Sequence, residues 1–461
     1  MIRFLVAALL AGAAAPVAAQ TIAITGGTVA LGDGSEPIPG GTVIIRNGRI
    51  AAAGVNVAIP QGAEMIDARG KWVTPGIVAG FSRLGLTEIE LGGDGTTDDK
   101  ANGGPFGAAI DVAPAVNPTA STIAVNRADG VTRAVVAPNV AKSIFAGQGA
   151  VIDLGADMEP ITRARLFQFV ELGETGADTA GGSRASAYVL FRNALKEASE
   201  LRRYAPSISA ARPLGEEVER PVISNPNESR EYGPDARRSE DALLTRFDAA
   251  ALVPVLQGRQ YLLIHVERAR DILNVIGLKR DYPSLKIVLV GASEGWLVAD
   301  RIAASGIPVI ASAVNDLPGS FEQLAATQSN VGRMRDAGVD VAIGMIDDND
   351  TRYLFNERQY AGNLVALTNV PGASGVRWGE ALAMITSRPA QALGLGRDLG
   401  SLEPGRRADV VIWSGDPLQV SSNAEAVYID GMQQPMDSRQ TKLRQRYQDL
   451  NRDVLPEAYR R

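Results

Sequence analysis

The chain has 461 residues, of which 45% are hydrophobic and 21% charged, and its formal net charge at pH 7 is −6. These proportions are ordinary for a folded protein, and the length allows one large domain and a smaller one. The mild acidity argues against nucleic acid as a partner, because binding to it usually needs a basic face. The sequence contains no cysteine, which excludes disulfides, a thiol nucleophile and thiolate metal ligands.

Residues 1–19 have the pattern of a secretory signal peptide. Arg3 provides a positive start, Phe4–Ala15 is an apolar run too short to cross a bilayer, and Val17–Ala19 supplies small residues before Gln20. An uncleaved anchor or a buried helix is the alternative. We therefore expect the protein to be exported, either to a periplasm or outside the cell, with no membrane insertion after cleavage.

The first part of the chain after the signal, 21–71, is rich in strand and turn residues. Asn47-Gly48 lies between the apolar runs Thr42–Ile45 and Arg49–Ala53. This dipeptide predicts a tight hairpin, because both turn positions favour a positive φ. We expect a small β unit here.

From about Trp72 onward, strands alternate with helices. Continuous apolar runs separated by amphipathic segments are typical of a parallel sheet covered on both faces, and their number predicts a (β/α)8 TIM-type barrel. Strands are predicted at 132–136, 150–154, 260–265, 286–291, 307–311 and 339–344. Helices are predicted at 120–128, 269–278, 295–304, 321–337, 357–367, 380–386 and 389–395.

Two polar regions, 173–182 and 205–234, interrupt this alternation. Residues 205–234 are rich in Gly, Pro, Ser and charge, which predicts a surface insertion. The loops of the barrel mouth, expected at 86–118 and 173–247, would set the substrate, and they carry no recognisable code. The charged segment at the end predicts a helical tail.

Several segments together carry a resemblance to a known family. They are Val73–Gly85, with the sequence VTPGIVAGFSRLG, then Gly147–Ile152, and then Glu380–Asp409, which contains Leu402-Glu403-Pro404-Gly405 and Ala408-Asp409. In this order, residues 21–436 resemble the amidohydrolase superfamily, in its imidazolonepropionase-like branch. The resemblance implies that β segments from both chain ends join into a small composite β-sandwich domain beside the barrel.

The resemblance divides the chain into five parts. Residues 1–19 would be the signal peptide, 20–75 the first part of the composite β domain, and 76–397 the barrel. Residues 398–437 would complete the β domain, and 438–461 would form the charged helical tail.

The resemblance also implies metal-assisted hydrolysis, in which a divalent metal such as zinc activates water at the carboxyl ends of the barrel strands. The His-x-His pair that the family places after the first strand reads Phe81 and Arg83 here. No Lys or Glu ligand is identified on the fourth strand, and 290–292 offer no histidine on the sixth. Only His265, after the fifth strand, and Asp347, after the eighth, stand at family ligand positions. With so few ligands we expect no metal cofactor, although the resemblance allows one.

His265 and Asp347 are accordingly the candidate catalytic residues, and Arg83 is the candidate substrate-binding residue. Its guanidinium stands where the family has a metal ligand, and it would pair with Asp347 or clamp a ligand carboxylate through two hydrogen bonds. Alternatively, His265 is a structural side chain at the barrel mouth whose hydrogen bonds are all made within the protein. Asp347 and the adjacent Asp348 are alternatively parts of a solvated turn.

Other chemistries find less support. A Ser-His-Asp site would use His265 with Ser82, Ser293 or Ser312, and none of these serines lies in a Gly-x-Ser-x-Gly motif. The spacing of Glu267 and Glu294 does not single them out for acid–base work.

The sequence therefore predicts a hydrolase of carbon–nitrogen bonds other than peptide bonds, acting on a small molecule, with reduced activity because most metal ligands are missing. The alternative is an inactive exported pseudoenzyme that binds a ligand or supports an active homologue. The resemblance is compatible with a homo-oligomer or with a hetero-oligomer containing such a homologue.

Overall fold

The structure is a computed structural model that describes residues 21–88, 97–204, 242–313, 315–346 and 352–448. Its strands form two sheets, one from both ends of the chain and one from the middle. The strands of the first sheet are β1 (Thr21–Val29), β2 (Ile38–Arg46), β3 (Arg49–Gly54), β4 (Glu64–Asp67), β5 (Trp72–Pro75), β14 (Val410–Trp413), β15 (Ala424–Ile429) and β16 (Met432–Gln433). Those of the second are β6 (Ile77–Ser82), β7 (Val131–Val136), β8 (Phe145–Asp153), β9 (Ile161–Glu171), β10 (Tyr261–Val266), β11 (Lys286–Gly291), β12 (Val309–Ala311) and β13 (Val341–Ile343).

The first sheet joins the two chain ends. Its strand order is β16-β15-β14-β5-β1-β2-β3, with β4 paired to β1. The junction is the antiparallel pair of β14 and β5, in which Val410 faces Pro75 and Trp413 faces Trp72. The strand pairing thus gives one composite sheet, and the sandwich shape expected for it stays a prediction.

The hairpin predicted at Asn47-Gly48 is present. β2 and β3 pair antiparallel up to Arg46 and Arg49, which leaves a two-residue loop. Asn47 has φ 52° and Gly48 has φ 72°. Both values are positive, as a turn of this kind requires.

The second sheet, β6 to β13 in chain order, forms the TIM-type barrel. Its last strand returns to its first, where the amide of Met345 donates to the carbonyl of Phe81 at 3.2 Å. One apolar cluster contains alternate residues of neighbouring strands: Phe167, Phe169, Leu263, Val288, Val290, Ile310 and Ala342. Because alternate residues of a strand share a face, this cluster marks the barrel interior.

One barrel strand departs from the expected parallel arrangement. β8 pairs antiparallel with both β7 and β9, whereas the other neighbouring pairs of this sheet are parallel. The reason is the length of the connections, since only 137–144 and 154–160 link these strands. A parallel crossover needs a dozen or more residues.

The helices lie mostly where the sequence predicts them, with some differences. The described part of 173–247, expected as loops, contains the helices Glu174–Thr179 and Arg184–Tyr204 and the start of a third at Arg246. The helices predicted at 295–304 and 321–337 each begin as a short 3-10 turn, at Gly295–Val298 and Phe321–Gln323, with the α-helix farther along. The helices are α1 (Ser121–Ala128), α2 (Glu174–Thr179), α3 (Arg184–Tyr204), α4 (Arg246–Leu256), α5 (Ala269–Asp281), α6 (Ala299–Ser305), α7 (Asn330–Asp336), α8 (Asn356–Ala366), α9 (Trp378–Met384), α10 (Ser387–Ala392) and α11 (Arg439–Gln448).

Both chain termini and the whole of the predicted insertion lie outside the described residues. The predicted signal peptide at 1–19 and the insertion at 205–234 are among them, and the expected tail helix is described only as α11, Arg439–Gln448. Among the helices that the structure describes, none combines the length and the apolar character needed to cross a membrane.

Candidate functional site

His265 lies near the carboxyl end of β10, at the barrel mouth. It follows Leu263 by two residues and therefore faces the same side of the strand, toward the barrel interior. In the register with β9 it pairs with Glu171, the last residue of that strand, which follows the interior residue Phe169 by two. The two side chains thus enter the barrel mouth side by side.

Two carboxylates hold the imidazole of His265. Its Nδ1 lies 2.7 Å from Oε2 of Glu171, and its Nε2 lies 3.0 Å from Oε1 of Glu267. Because an ionised carboxylate can only accept a hydrogen bond, a carboxylate at each ring nitrogen favours the imidazolium form, in which both nitrogens donate. The side chains of Glu171 and Glu267 are almost fully buried, and that of His265 keeps 15% of its surface exposed.

Glu267 is fixed in place by its own surroundings. Its Oε2 accepts a hydrogen bond of 2.7 Å from the amide of Ser293. The neighbouring position must be glycine, because a Cβ on Gly291 would lie 2.5 Å from Oε1 of Glu267. The turn after β11 is therefore built to admit this carboxylate.

The electrostatics of the group favour a charged pair. Burial opposes protonation of His265, but the carboxylates of Glu171 and Glu267 outweigh it and hold the pKa of His265 well above its usual value of 6.5. For Glu267, burial opposes ionisation, and the hydrogen bonds from His265 and Ser293 prevail, so its pKa is lowered. These shifts favour a protonated His265 beside an ionised Glu267.

Phe81 fills the barrel interior where the family has its first histidine ligand. Its side chain is 1% exposed and belongs to the interior apolar cluster. The rings of Phe81 and Phe169 pack with their centroids 5.2 Å apart. This position therefore contributes packing and offers no ligand atom.

Arg83 is buried beside the mouth. Its Nη1 donates to the carbonyl of Pro138 at 3.3 Å, and its Nε lies 4.0 Å from Oδ2 of Asp99. The guanidinium also lies over the ring of Phe81, 5.6 Å from the centroid. These contacts tie the end of β6 to the loop after β7, and the substrate-binding role of Arg83 stays a prediction.

Asp347 and Asp348 lie outside the described residues. The chain is described up to Ile346, just beyond β13, so the predicted pairing of Asp347 with Arg83 stays a prediction. The catalytic assignment of Asp347 stays one as well.

The residues present do not fit a divalent metal as the family holds it. Both nitrogens of His265 already face carboxylates, and the positions of the His-x-His pair carry Phe81 and Arg83. Val290, which pairs with His265 in the register, supplies no ligand from the sixth strand. Within the described parts of the chain, no group of three or more His, Cys, Asp or Glu is arranged to hold a metal ion.

Sequence reasoning missed both partners of His265. Glu171 ends the fourth barrel strand, the place where the family carries a Lys or Glu. The available signal was the apolar alternation Phe167, Phe169 followed by a carboxylate two residues later. Glu267 was considered, but its spacing does not reveal the contact.

A second charged network surrounds the mouth. Oε2 of Glu322 accepts from the amide of Glu174 at 2.7 Å and from Nη2 of Arg184 at 2.8 Å. Nε of Arg184 donates to Oδ2 of Asp271 at 3.0 Å, and the guanidinium of Arg268 donates two hydrogen bonds to the same carboxylate. The network links the segments that follow β9, β10 and β12.

The candidate serines do not contact the histidine. The hydroxyl of Ser82 donates to the carbonyl of Val135, and that of Ser293 accepts from Asn315 at 3.3 Å. Since both nitrogens of His265 face carboxylates, the geometry does not support a Ser-His-Asp site.

Comparisons with known proteins agree with a TIM-type barrel. The amidohydrolase family matches residues 290–433. An amidohydrolase of Hapsidospora irregularis, TasK, is 25% identical over 82% of this chain, which spans only 38% of that protein. The imidazolonepropionase of Acidiphilium cryptum is 25% identical over 80% of this chain and 86% of its own length.

A solved structure gives the same picture for the fold. The crystal structure of an amidohydrolase from Thermotoga maritima superposes with a TM-score of 0.72, at 24% identity, over 89% of this chain and 99% of that one. The family match, the imidazolonepropionase relative and this structure together confirm the resemblance to the amidohydrolase superfamily, in its imidazolonepropionase-like branch.

Proposed function

We propose that the chain is a hydrolase of carbon–nitrogen bonds other than peptide bonds, with an activity lowered by the loss of most family metal ligands. The observation that supports it is the group of Glu171, His265 and Glu267 at the carboxyl ends of neighbouring barrel strands. This is the end where barrel enzymes place their active sites. The substrate would be a small amide, cyclic or open.

The chemistry can be carried by these three side chains. When a substrate enters, one N–H of the His265 imidazolium turns from its carboxylate toward the leaving nitrogen and acts as a general acid. The freed carboxylate accepts a proton from the attacking water. The carbon–nitrogen bond breaks, the carbonyl carbon gains the hydroxyl, and the nitrogen takes the proton of His265 and leaves as a neutral amine. The protonated carboxyl then returns its proton to His265, which restores the starting state.

An activity assay with matched variants tests this proposal. Wild-type protein, His265→Gln and Glu171→Gln are compared on a panel of cyclic and open amides and ureas, with and without a chelator. We expect turnover that survives chelation and falls about 100-fold or more in both variants, the usual scale for losing a general acid or base. Glu200→Gln, on the exposed face of α3, is the control. Turnover that needs stoichiometric metal, or that His265→Gln retains, would refute the mechanism.

Arg83 would bind the carboxylate of such a substrate. Arg83→Lys keeps the positive charge but loses the bidentate hydrogen bonding of the guanidinium, whereas Arg83→Ala loses both. We expect KM to rise in both variants, and more in Arg83→Ala. If Arg83→Ala leaves both ligand binding and stability unchanged, this role is wrong.

The second candidate is an inactive exported pseudoenzyme that binds a ligand or supports an active homologue. The observation that favours it is the replacement of the His-x-His pair by Phe81, which packs in the core, and Arg83. It predicts no turnover on any amide of the panel together with co-purification of a homologue that retains the pair.

Export is part of this proposal. The support is the signal-like pattern of residues 1–19. Sequencing the amino terminus of the protein from fractionated cells should give a start near Gln20 in the exported fraction. A start at Met1 in the cytosolic fraction would contradict it.

A further inference from the structure

A cavity of about 520 Å³ opens at the end of the barrel opposite His265. We call it the basal cavity. Its walls are the beginnings of the strands β10 to β13, the end of α5 and the helix α10. The candidate active site lies at the carboxyl ends of the same strands, so the two sites are separated by the length of the barrel.

The lining of the basal cavity is strongly basic. Lys279, Lys286 and Arg388 line it together with a single carboxylate, that of Asp340. Nη1 of Arg388 donates to Oδ1 of Asp340 at 3.0 Å, so this pair is neutralised. Among the described residues, no carboxylate forms an ion pair with either lysine. The cavity therefore carries an excess of two positive charges in a chain whose net charge is −6.

One of the lysines lies against an aromatic ring of the cavity lining. Lys286 is the first residue of β11, and its Nζ lies over the ring of Tyr261, 5.3 Å from the centroid. The ring itself is held in place, because the Tyr261 hydroxyl packs against Gly394 so closely that a Cβ there would lie 2.2 Å away. The Tyr261 ring thus positions the ammonium group of Lys286, which remains able to bind an anion.

We propose that the basal cavity binds a small dianion, whose two negative charges are met by Lys279 and Lys286. Ile287, Val341 and Ala342 at the strand starts also line the cavity. A phosphate group and an organic dicarboxylate both have the required charge. The cavity volume admits either, since ligand cavities commonly measure about 300–1,000 Å³.

This site is independent of the proposed hydrolysis. None of its lining residues contacts Glu171, His265 or Glu267, and its ligand is recognised by charge rather than transformed. Failure of the anion site therefore leaves the hydrolase proposal untouched, and the reverse also holds.

Calorimetric titration of the full chain at low ionic strength tests the site, with pyrophosphate and succinate as separate probes. We expect saturable binding of at least one probe with a stoichiometry of one. Pyrophosphate alone would assign the site to phosphate groups, and succinate alone to dicarboxylates. Each lost lysine should weaken binding about tenfold, because a hydrogen bond to a charged group contributes about 1.5–3 kcal/mol.

The matched comparison uses two double variants with the same change of charge. Lys279→Gln with Lys286→Gln should raise Kd about 100-fold. Lys196→Gln with Lys442→Gln, both on exposed helix surfaces away from the cavity, should change it little. If the first double variant fails to fold, two measurements replace it. They are the binding of each probe by Arg388→Gln and the unfolding midpoint of the wild-type protein in the presence of each probe. Absence of saturable binding, equal stabilisation by sodium chloride at the same ionic strength, or equal weakening in both double variants would overturn the proposal.

Discussion

At the scale of single residues, the position of His265 was predictable and its chemical state was not. A buried strand followed by the chain's one histidine indicates the barrel mouth. Its state depends on Glu171, 94 residues earlier in the chain, and on Glu267, whose carboxylate reaches it only because the turn at Gly291 leaves room. A ring held on both sides by carboxylates is an acid or a structural cation, and its nitrogens are not available to a metal.

Glu357, at the start of α8, is a second buried ionisable group. Its side chain has no surface exposure, and no group reaches either carboxylate oxygen with good hydrogen-bond geometry, the amide of Gly80 interacting with it only weakly. Burial raises the pKa of Glu357 well above its ordinary value of 4.5, and the backbone amide of Gly80 offsets only part of this. The neutral acid is therefore the form that the folded protein prefers.

Replacing this acid should change how stability depends on pH. Because the folded pKa lies above the unfolded one, the contribution of the neutral form is complete below pH 4.5 and is lost as pH rises toward the folded pKa. Glu357→Gln should remove that loss, so its free energy of unfolding should fall less than that of the wild type from acidic to neutral pH. Urea unfolding across this range measures it, with the exposed Glu36→Gln as control. Parallel pH profiles for wild type and Glu357→Gln would contradict the account.

At the scale of elements, strands with uniform apolar runs were predicted well and mixed ones were missed. The strands at 261–266 and 286–291 are buried almost throughout, whereas β9 begins with the exposed residues Arg163, Ala164 and Arg165 before it becomes buried. The exposed half obscures the apolar half and the carboxylate at its end. Tertiary position, rather than local pattern, makes this segment a barrel strand.

The helix α3 was missed for a related reason. It lies inside a long polar region, but Ala187, Phe191, Ala194, Leu195 and Ala198 are buried at helical spacing. Polarity of the surroundings led to a loop prediction, although the periodicity indicates a helix. The same limit applies to β8, whose direction follows from the short connections.

The hairpin of β2 and β3 allows a test at this scale. Gly48 has φ 72°, and a Cβ there would lie 2.7 Å from the carbonyl oxygen of Asp430, in the turn between β15 and β16. Gly40 has a similar φ of 65° with nothing within 4 Å. Gly40→Ala should cost about 1 kcal/mol from the backbone alone. Gly48→Ala should lower the free energy of unfolding clearly more, because a backbone atom must move. Thermal unfolding measures both variants, and equal losses of stability would contradict the contact between Gly48 and Asp430.

At the scale of the whole molecule, one buried arginine connects the two sheets. Arg133 on β7 of the barrel donates to Asp409 through Nε at 2.8 Å and Nη2 at 3.0 Å, and it pairs with Asp430 at 3.0 Å. Both aspartates flank strands of the composite sheet. Its Nη1 also pairs with Asp153 on β8 at 3.3 Å. The composite sheet is thereby held to the barrel by charge as well as by packing.

Removing this arginine should weaken the whole molecule. Arg133→Ala leaves Asp409 and Asp153 without their cation, whereas Asp430 keeps Arg407. Breaking a buried ion pair in this way costs about 3–5 kcal/mol. Urea unfolding followed by circular dichroism measures the loss. Arg69→Ala, which removes an exposed pair with Asp67, should have a much smaller effect. Similar losses in the two variants would show that Arg133 does not couple the sheets.

The central claim is that His265 is an imidazolium between two carboxylates and does not serve as a metal ligand. The chain has one histidine, so nuclear magnetic resonance of protein labelled with 15N-histidine and purified without a histidine tag reports on it alone. The account predicts two protonated ring nitrogens at neutral pH, unchanged by one equivalent of zinc, and a lower pKa in Glu171→Gln. A neutral ring whose nitrogen signal shifts with stoichiometric zinc would contradict it.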